Sequence, residues 1–130
     1  MIYLLDANVL ISAVTIVHDS HPRALRWLRT GVEFAVCPIV EGSLARFLLR
    51  KGAKDQIAPF LERVHSFSHF HWIDDDLTYA DVYWDDVIGH KQATDVYLAS
   101  LAVAHGMKLA TFDEGIAQLR PEDTFLVPKE

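Results

Sequence analysis

The apolar residues of this chain occur in two patterns, as short continuous runs and as longer stretches with helical spacing. Continuous runs at residues 2–5 and 34–37 are typical of strands that are buried on both faces of a parallel sheet. Similar short segments predict further strands at residues 70–73, 108–112 and 124–127. The pattern therefore predicts a sheet whose strands are mainly parallel.

The stretches between the strands carry apolar residues three and four positions apart, which is the spacing of amphipathic helices. A long helix is predicted to follow an N-cap at Thr94 and to end before Gly106. Shorter helices are predicted at residues 9–14, 22–29, 40–50, 55–66 and 79–88. Strands that alternate with helices over the whole length predict one α/β domain at residues 1–130, a three-layer α/β/α sandwich around the sheet.

The segment from residue 91 to residue 113 is the most informative part of the chain. Asp95 lies in the first turn of the long helix, and Asp113 follows the strand that comes after it. A helix of about 12 residues runs roughly 18 Å, and a strand of about five residues returns roughly 16 Å. The two aspartates are therefore expected to meet at the carboxyl edge of the sheet, where open α/β folds usually place ligands.

Two more acidic residues occupy equivalent positions. Asp6 ends the first strand, and Glu41 lies in the first turn of the helix after the second strand. Four carboxylates packed together repel one another unless a cation is present. Because every ligand atom would be an oxygen, we expect Mg²⁺ or Mn²⁺, with one or two ions bound. Such ions activate water for attack on a phosphodiester, so the four acids are candidate metal ligands of a nuclease.

The net charge of −6 argues against a simple polyanion-binding protein, but the charge is unevenly distributed. Residues 23–63 carry eight Lys and Arg against four acids, whereas residues 74–95 carry seven acids against Lys91 alone. The basic half could contact phosphates. No apolar run approaches the roughly 20 residues of a membrane span. The first residues do not resemble a signal peptide, and the single Cys37 cannot form an internal disulfide, so a cytoplasmic protein is expected.

Four short motifs resemble those of PIN-domain nucleases. Residues 5–11 (Leu-Asp-Ala-Asn-Val-Leu-Ile) resemble the first motif and residues 38–41 (Pro-Ile-Val-Glu) the second. Thr94 and Asp95 resemble the third motif, and residues 111–113 (Thr-Phe-Asp) resemble the fourth. The motifs follow the order of the family and extend over nearly the whole chain. The small size is similar to that of VapC toxins, the ribonuclease half of type II toxin–antitoxin pairs.

The resemblance carries the acidic quartet of the family onto Asp6, Glu41, Asp95 and Asp113. It places Asn8 and Thr111 where the family has small polar residues that support the metal site. It also implies cleavage of single-stranded or looped RNA, often tRNA or rRNA, with Mg²⁺ or Mn²⁺ as cofactor. A homodimer and a VapB-like antitoxin, whose C-terminal segment fills the groove near the site, are implied as well. Asp113 is followed by Glu114 without a clear further acid downstream, which leaves the number of ions open.

Other interpretations of the same residues stay open. A phosphatase of the aspartyl type also has an aspartate at the end of its first strand, but it requires a second acid at position 8, where this chain has Asn8. A phosphoacceptor domain requires an acidic pair and a late lysine, and neither is evident. A non-catalytic interaction module is the third alternative, although no acid of the quartet is missing.

Two further points concern the ligand and the substrate. His65, His69 and His71 could form a zinc site, but they straddle a helix end and a strand start and have no partner cysteine. Cleavage of DNA also stays open, because the contacts that recognise a 2′-hydroxyl are not visible in a sequence.

Overall fold

The computed structural model describes residues 1–129 and is built around one β-sheet. Its five strands are Ile2–Leu5 (β1), Glu33–Val36 (β2), Phe70–Trp72 (β3), Lys108–Thr111 (β4) and Thr124–Leu126 (β5). Neighbouring strands pair in parallel in the order β3-β2-β1-β4-β5. The predicted α/β fold with a mainly parallel sheet is confirmed, and every strand pair of residues 1–129 is parallel.

Six α-helices connect the strands: Ala7–Val14 (α1), His21–Leu28 (α2), Pro38–Arg50 (α3), Ile57–His65 (α4), Ala93–Ala104 (α5) and Glu114–Leu119 (α6). The chain runs from β1 outward to β3 and then returns to β4 on the other side of β1. The strand order therefore reverses between β1 and β4, and the crevice at such a reversal is the usual ligand position in an open α/β sheet. In the described part of the chain, no helix has both the length and the apolar character needed to cross a membrane.

The centre of the sheet is the most buried part of the molecule. Leu4 and Leu5 of β1, Leu109 and Ala110 of β4 and Leu101 of α5 are completely buried. Replacing one of these leucines by alanine is expected to lower the free energy of unfolding by about 2–5 kcal/mol, because the enclosed site cannot collapse fully. The polar residues that follow β1 and β4 therefore stand on a rigid support.

Most predicted elements are present with ends that differ by a few residues. Helix α3 begins at Pro38, two positions before the predicted start, because the first turn of a helix accommodates proline. The prediction of an N-cap at Thr94 is wrong, since α5 already begins at Ala93. A short 3-10 turn at His90–Gln92 leads directly into α5 and moves its start. Asp95 still lies in the first turn of the helix, as predicted.

The helix predicted at residues 79–88 is wrong. Only Tyr79–Asp81 forms a single 3-10 turn, and the following residues are irregular. Arg120 accounts for much of the difference, because its guanidinium donates to both carboxylate oxygens of Asp86, at 2.7 and 3.0 Å. It also donates to the carbonyl oxygen of Tyr83 at 2.8 Å, an acceptor that a regular helix would use internally. Tertiary contacts therefore override the local pattern.

Candidate active site

Asp6 and Asp113 lie beyond the carboxyl ends of the two central strands. The backbone N–H of Asp6 donates to the carbonyl oxygen of Ala110 at 2.9 Å, which continues the pairing of β1 with β4 by one residue. Asp113 stands two residues beyond Thr111, the last residue of β4. Because β1 and β4 are parallel neighbours, both aspartates reach the same edge of the sheet, at the point where the strand order reverses.

The Asp6 carboxylate is buried and is held by two hydrogen bonds. Asp6 is only 5% exposed and caps α1, where Oδ1 accepts from the backbone N–H of Ala7 at 2.7 Å. Oδ2 accepts from the hydroxyl of Thr111 at 2.8 Å. Burial raises the pKa of Asp6, the two hydrogen bonds oppose that rise, and the charge of Asp113 adds to it. The contacts give this carboxylate one defined orientation.

Thr111 links Asp6 to Asp113. Its buried hydroxyl donates to Asp6 and accepts from the backbone N–H of Asp113 at 3.0 Å. A hydroxyl can act as donor and acceptor at once, so this side chain sets the positions of two acids from opposite ends of the chain. The contact is of the kind expected of a residue that supports a metal site.

The Asp113 carboxylate is exposed and caps α6, a helix that is not among the predicted ones. Its Oδ1 accepts from the backbone N–H of Gly115 at 2.7 Å. A Cβ atom at Gly115 would lie 3.0 Å from that oxygen, so glycine leaves room for the cap. The glycine in the first turn explains why the sequence did not predict this helix, because glycine usually disfavours helices. The aspartate cap was the local signal that could have revealed it.

Asp95 reaches the same edge from the first turn of α5. Its pKa is raised to about 7, first by burial and then by the charges of Asp6 and Asp113. These three residues, here called the aspartate cluster, therefore share one electrostatic environment. No basic side chain is among the groups that shift the pKa of Asp6 or Asp95 within the described residues. The cluster consequently has an excess of negative charge.

The donor chemistry of the aspartate cluster fits a hard divalent cation. Mg²⁺ and Mn²⁺ prefer carboxylate oxygens, and positive charge relieves the repulsion that raises the pKa of Asp95. Within residues 1–129, no three acidic, histidine or cysteine side chains stand close enough to enclose an ion by themselves. An ion held by the cluster would complete its coordination shell with water, as Mg²⁺ usually does.

Glu41, the fourth predicted acid, has a different environment. It lies in the first turn of α3, as predicted, and its Oε2 is 2.5 Å from Nε2 of His65. The ring of His65 stacks on Phe70, with ring centroids 4.8 Å apart. The charge of Glu41 is not among the causes that raise the pKa of Asp6 or Asp95. The structure therefore brings three of the predicted acids together and pairs the fourth with a histidine.

A cavity of about 360 Å³ lies beside the aspartate cluster. It is lined by Asn8, His18, Ser20, Phe112 and Asp113. Sequence reasoning missed His18, Ser20 and Phe112. The first two reach the site only through the turn between α1 and α2, which carries no local chemical signal. Phe112 could have been found, because it stands between two residues of the fourth motif.

Comparison with known proteins gives consistent results. Residues 3–120 match the family model of the PIN domain. Ribonuclease VapC29 of Mycobacterium tuberculosis is 42% identical over 130 residues, which cover 98% of this chain and 98% of that protein. The crystal structure of M. tuberculosis VapC20, a sarcin–ricin loop cleaving toxin, has a TM-score of 0.71 and 11% identity, and the match covers 98% of both chains.

A further solved structure, VapBC2 from Rickettsia felis bound to a DNA fragment from its promoter, has a TM-score of 0.68 and 22% identity. The match covers 96% of both chains. At this level of identity the two solved structures establish the fold alone. The family model and VapC29 establish more: this chain belongs to the PIN-domain family and, within it, to the VapC ribonucleases.

Proposed function

We propose that this chain is a metal-dependent endoribonuclease that acts as the toxin of a VapBC-type pair, with residues 1–130 forming one nuclease domain. The observation that carries the proposal is the aspartate cluster, in which burial and two neighbouring carboxylates raise the pKa of Asp95 to about 7. Groups with strongly shifted pKa values in a crevice are typical of functional sites. Membership of the VapC ribonucleases supports RNA as the substrate.

The proposed ligands of Mg²⁺ or Mn²⁺, one or two ions, are Asp6, Asp95 and Asp113, with Glu41 as the fourth acid. A divalent ion, when bound, supplies Lewis acidity toward the attacking water and the phosphate oxygens. The residues themselves provide orientation and charge. Asp6 presents its carboxylate in one direction because both of its oxygens are hydrogen-bonded. With a pKa of about 7, Asp95 is only partly ionised near neutral pH, and nearby positive charge favours its ionised form.

Asn8 and Thr111 are the proposed supporting residues. Thr111 contributes by joining Asp6 to the backbone of Asp113. Asn8 is exposed beside Asp113, where its amide can donate to a phosphate or a sugar. These contacts support precise placement of the cluster, which governs the rate when a catalytic site acts by positioning.

The proposed substrate is single-stranded or looped RNA, in particular tRNA or rRNA. A positive charge is available close to the cluster, because the guanidinium of Arg23 lies 4.3 Å from the ring centroid of Phe112, the residue before Asp113. Arginine at this place favours the approach of a phosphate backbone despite the net charge of −6.

The proposed partners are a VapB-like antitoxin and a second copy of the chain. The R. felis neighbour is a VapBC complex, which supports a partner of this class. Large apolar side chains are also available for contacts, since Val17 is 90% exposed and Ile88 is 93% exposed. We place the activity in the cytoplasm, where an RNA substrate and such partners occur together.

The test uses purified protein, freed of any antitoxin, on a mixed RNA pool with Mg²⁺, Mn²⁺ or EDTA. Asp6→Asn and Asp95→Asn each remove a charge from the cluster with little change of volume. Asp55→Asn is the matched control, because Asp55 is exposed in the turn before α4. We expect discrete cleavage that requires the metal, disappears in both cluster variants and persists in the control.

A parallel reaction with single-stranded DNA measures the importance of the 2′-hydroxyl. If neither RNA nor DNA is cleaved, and the metals do not raise the melting temperature, the nuclease proposal is wrong. Cleavage that survives in Asp6→Asn would place the active site elsewhere.

A further inference from the structure

The cavity beside the aspartate cluster contains polar and aromatic groups that the proposed metal chemistry does not use. Its volume of about 360 Å³ falls in the range of roughly 300–1,000 Å³ that is usual for small-molecule sites. Asp113 belongs to both the cavity and the cluster. A group bound in this cavity is therefore directly beside the proposed site of phosphodiester cleavage.

His18 lines this cavity and also a second cavity on the side of α3, and its imidazole ring has a hydrogen-bond donor without a partner among residues 1–129. Its Nδ1 accepts from the backbone N–H of Ser20 at 3.0 Å, and the hydroxyl of the buried Ser12 lies 3.3 Å from the same atom. A backbone N–H can only donate, so Nδ1 carries the lone pair and the ring proton is on Nε2. None of the hydrogen bonds among residues 1–129 involves Nε2 of His18. The Nε2–H group is thus available to a ligand.

The orientation of His18 is fixed by the turn between α1 and α2. His21 contacts the carbonyl oxygen of Ser12 with its Nδ1 at 2.8 Å, and Ser20 holds the ring of His18. Because these contacts come from the chain itself, the ring of His18 is held in place, and binding requires little further loss of conformational freedom.

The cavity also contains an aromatic side chain. Phe112 lines the cavity, and the guanidinium of Arg23 lies over its ring. Arg23 is itself fixed, since its Nε donates to the carbonyl oxygen of Val127 at 3.1 Å. Single-stranded RNA is commonly recognised by stacking of a base on an aromatic ring or a guanidinium, together with hydrogen bonds to the base edge. Phe112, His18 and Asn8 provide this combination.

We propose that the cavity binds the base of the nucleotide next to the cleaved phosphate, and that His18 donates its Nε2–H to the edge of that base. The inference rests on the proposed ribonuclease function and adds a residue that selects the RNA. His18 contacts the substrate and contributes to the choice of cleavage site, whereas the aspartate cluster provides the chemistry.

Two substitutions separate binding by His18 from its role in the turn. His18→Asn places an amide oxygen near the position of Nδ1, so it keeps the acceptor for Ser20 and loses the donor in the cavity. His18→Gln places an amide nitrogen near the position of Nε2, so it keeps the donor and loses the acceptor. His69→Asn is the control, because His69 is exposed and lines neither the cavity nor the cluster.

The first measurement is fluorescence anisotropy with a short, labelled single-stranded RNA of mixed sequence in EDTA, where binding occurs without cleavage. We expect the Kd of His18→Asn to rise about five- to tenfold, which corresponds to the loss of one hydrogen bond. His18→Gln and the control are expected to stay within about twofold of the unsubstituted protein. Thermal unfolding should show the reverse order, with His18→Gln less stable than His18→Asn.

The second measurement maps the cleavage sites of the same variants in Mg²⁺ or Mn²⁺. The expected result is an altered distribution of cleavage sites for His18→Asn and an unchanged distribution for the control. If His18→Asn binds the labelled RNA as tightly as the unsubstituted protein, or if only His18→Gln binds weakly, the inference is wrong and His18 serves the turn alone. Absence of cleavage by the unsubstituted protein would contradict the ribonuclease proposal instead, and the binding measurement would still decide the role of His18.

Discussion

Acidic side chains have different environments in the two halves of the sheet. Beside β1 and β4, the aspartate cluster gathers three carboxylates, and the pKa of Asp95 rises to about 7. Beside β2 and β3, two glutamates are each paired with a histidine. Glu41 contacts His65, and Glu33 contacts His71 with 2.9 Å between Oε1 and Nε2. The hydrogen bond from His71 lowers the pKa of Glu33, the opposite of the shift at Asp95.

This difference separates a reactive site from a supporting structure. A carboxylate that is paired with a histidine gains less from an added ion than one whose nearest charged neighbours are other carboxylates. The hydrogen-bond donors to the aspartate cluster are neutral, namely the hydroxyl of Thr111 and backbone N–H groups, so an external cation is the group that can neutralise its charge. Both halves of the sheet contain acids. The location of the candidate active site therefore depends on the partners of those acids.

The largest effect is expected from Asp6→Asn. The amide keeps the size of the side chain but removes one negative charge from the cluster and changes a proposed metal ligand. We expect the rate of RNA cleavage to fall at least about a hundredfold, which is roughly 2.7 kcal/mol in activation free energy. Glu33→Gln is the matched control in the other half of the sheet, with a change of less than about twofold. Equal losses in initial-rate measurements of both variants would remove the distinction between the halves.

Thr111→Val tests the link inside the cluster. Valine has a similar shape but can neither donate to Asp6 nor accept from the backbone of Asp113. Loss of such a supporting contact typically lowers metal affinity or activity about 10–100-fold. Thr111→Ser keeps the hydroxyl and should retain most of the activity. The measurement is the Mg²⁺ concentration at half-maximal cleavage, and an unchanged value in Thr111→Val would limit this residue to a role in folding.

Asp95→Asn is expected to stabilise the metal-free protein above neutral pH. The pKa of Asp95 is about 7 in the folded protein against an ordinary value of 3.8, so the folded state binds this proton more tightly than the unfolded state. The resulting contribution to the free energy of unfolding is fully present below pH 3.8 and is lost as the pH rises to about 7. Above that pH the substitution should raise the free energy of unfolding by on the order of 1–2 kcal/mol, allowing for partial exposure of the carboxylate.

The control for this effect is again Glu33. Its pKa is lowered from 4.5, so its contribution to stability is present above that value and is lost as the pH falls further. Thermal unfolding in EDTA at pH values from below 4.5 to above 7 measures the two dependences. Added Mg²⁺ should remove the advantage of Asp95→Asn, because the cation neutralises the carboxylate. An advantage that is the same at every pH would show that Asp95 does not titrate as part of the cluster.

The aspartate cluster could be predicted because it depends on the direction of the backbone. Because β1 and β4 are parallel neighbours, Asp6 and Asp113 lie at one edge of the sheet. The turn at Gly106 returns the chain from α5 to β4. The apolar pattern contains this information, since continuous runs indicate parallel strands. The position of Asp95 at the same edge follows from the lengths of the helix and of the strand after it.

The partners of the acids could not be predicted, because they depend on packing between distant segments. The contact of Glu41 with His65 requires α3 to lie against α4 and the ring of His65 to stack on Phe70. The prediction of a helix at residues 79–88 was wrong for a related reason, since Arg120, at the end of α6, hydrogen-bonds to Asp86 in that segment. Local periodicity does not report such tertiary contacts.

The smallest effect is expected from His65→Phe, which tests whether Glu41 belongs to the metal site. His65→Phe keeps a ring that can stack on Phe70 but cannot hydrogen-bond to Glu41. If Glu41 is the fourth acid of the metal site, its release from this competing contact should lower the Mg²⁺ concentration at half-maximal cleavage by up to about fivefold, the equivalent of one hydrogen bond. His71→Phe releases Glu33 in the same way and is the matched control, with no expected change.

The Mg²⁺ titration of His65→Phe therefore assigns Glu41 to one half of the sheet or the other. A lower midpoint in His65→Phe alone would mean that Glu41 moves between His65 and the metal, so that the histidine competes with the ion for one carboxylate. Unchanged midpoints in both variants would place Glu41 with Glu33 among the supporting acids. In that case the aspartate cluster would hold the ion without Glu41, and water would complete the coordination shell, as Mg²⁺ readily accepts.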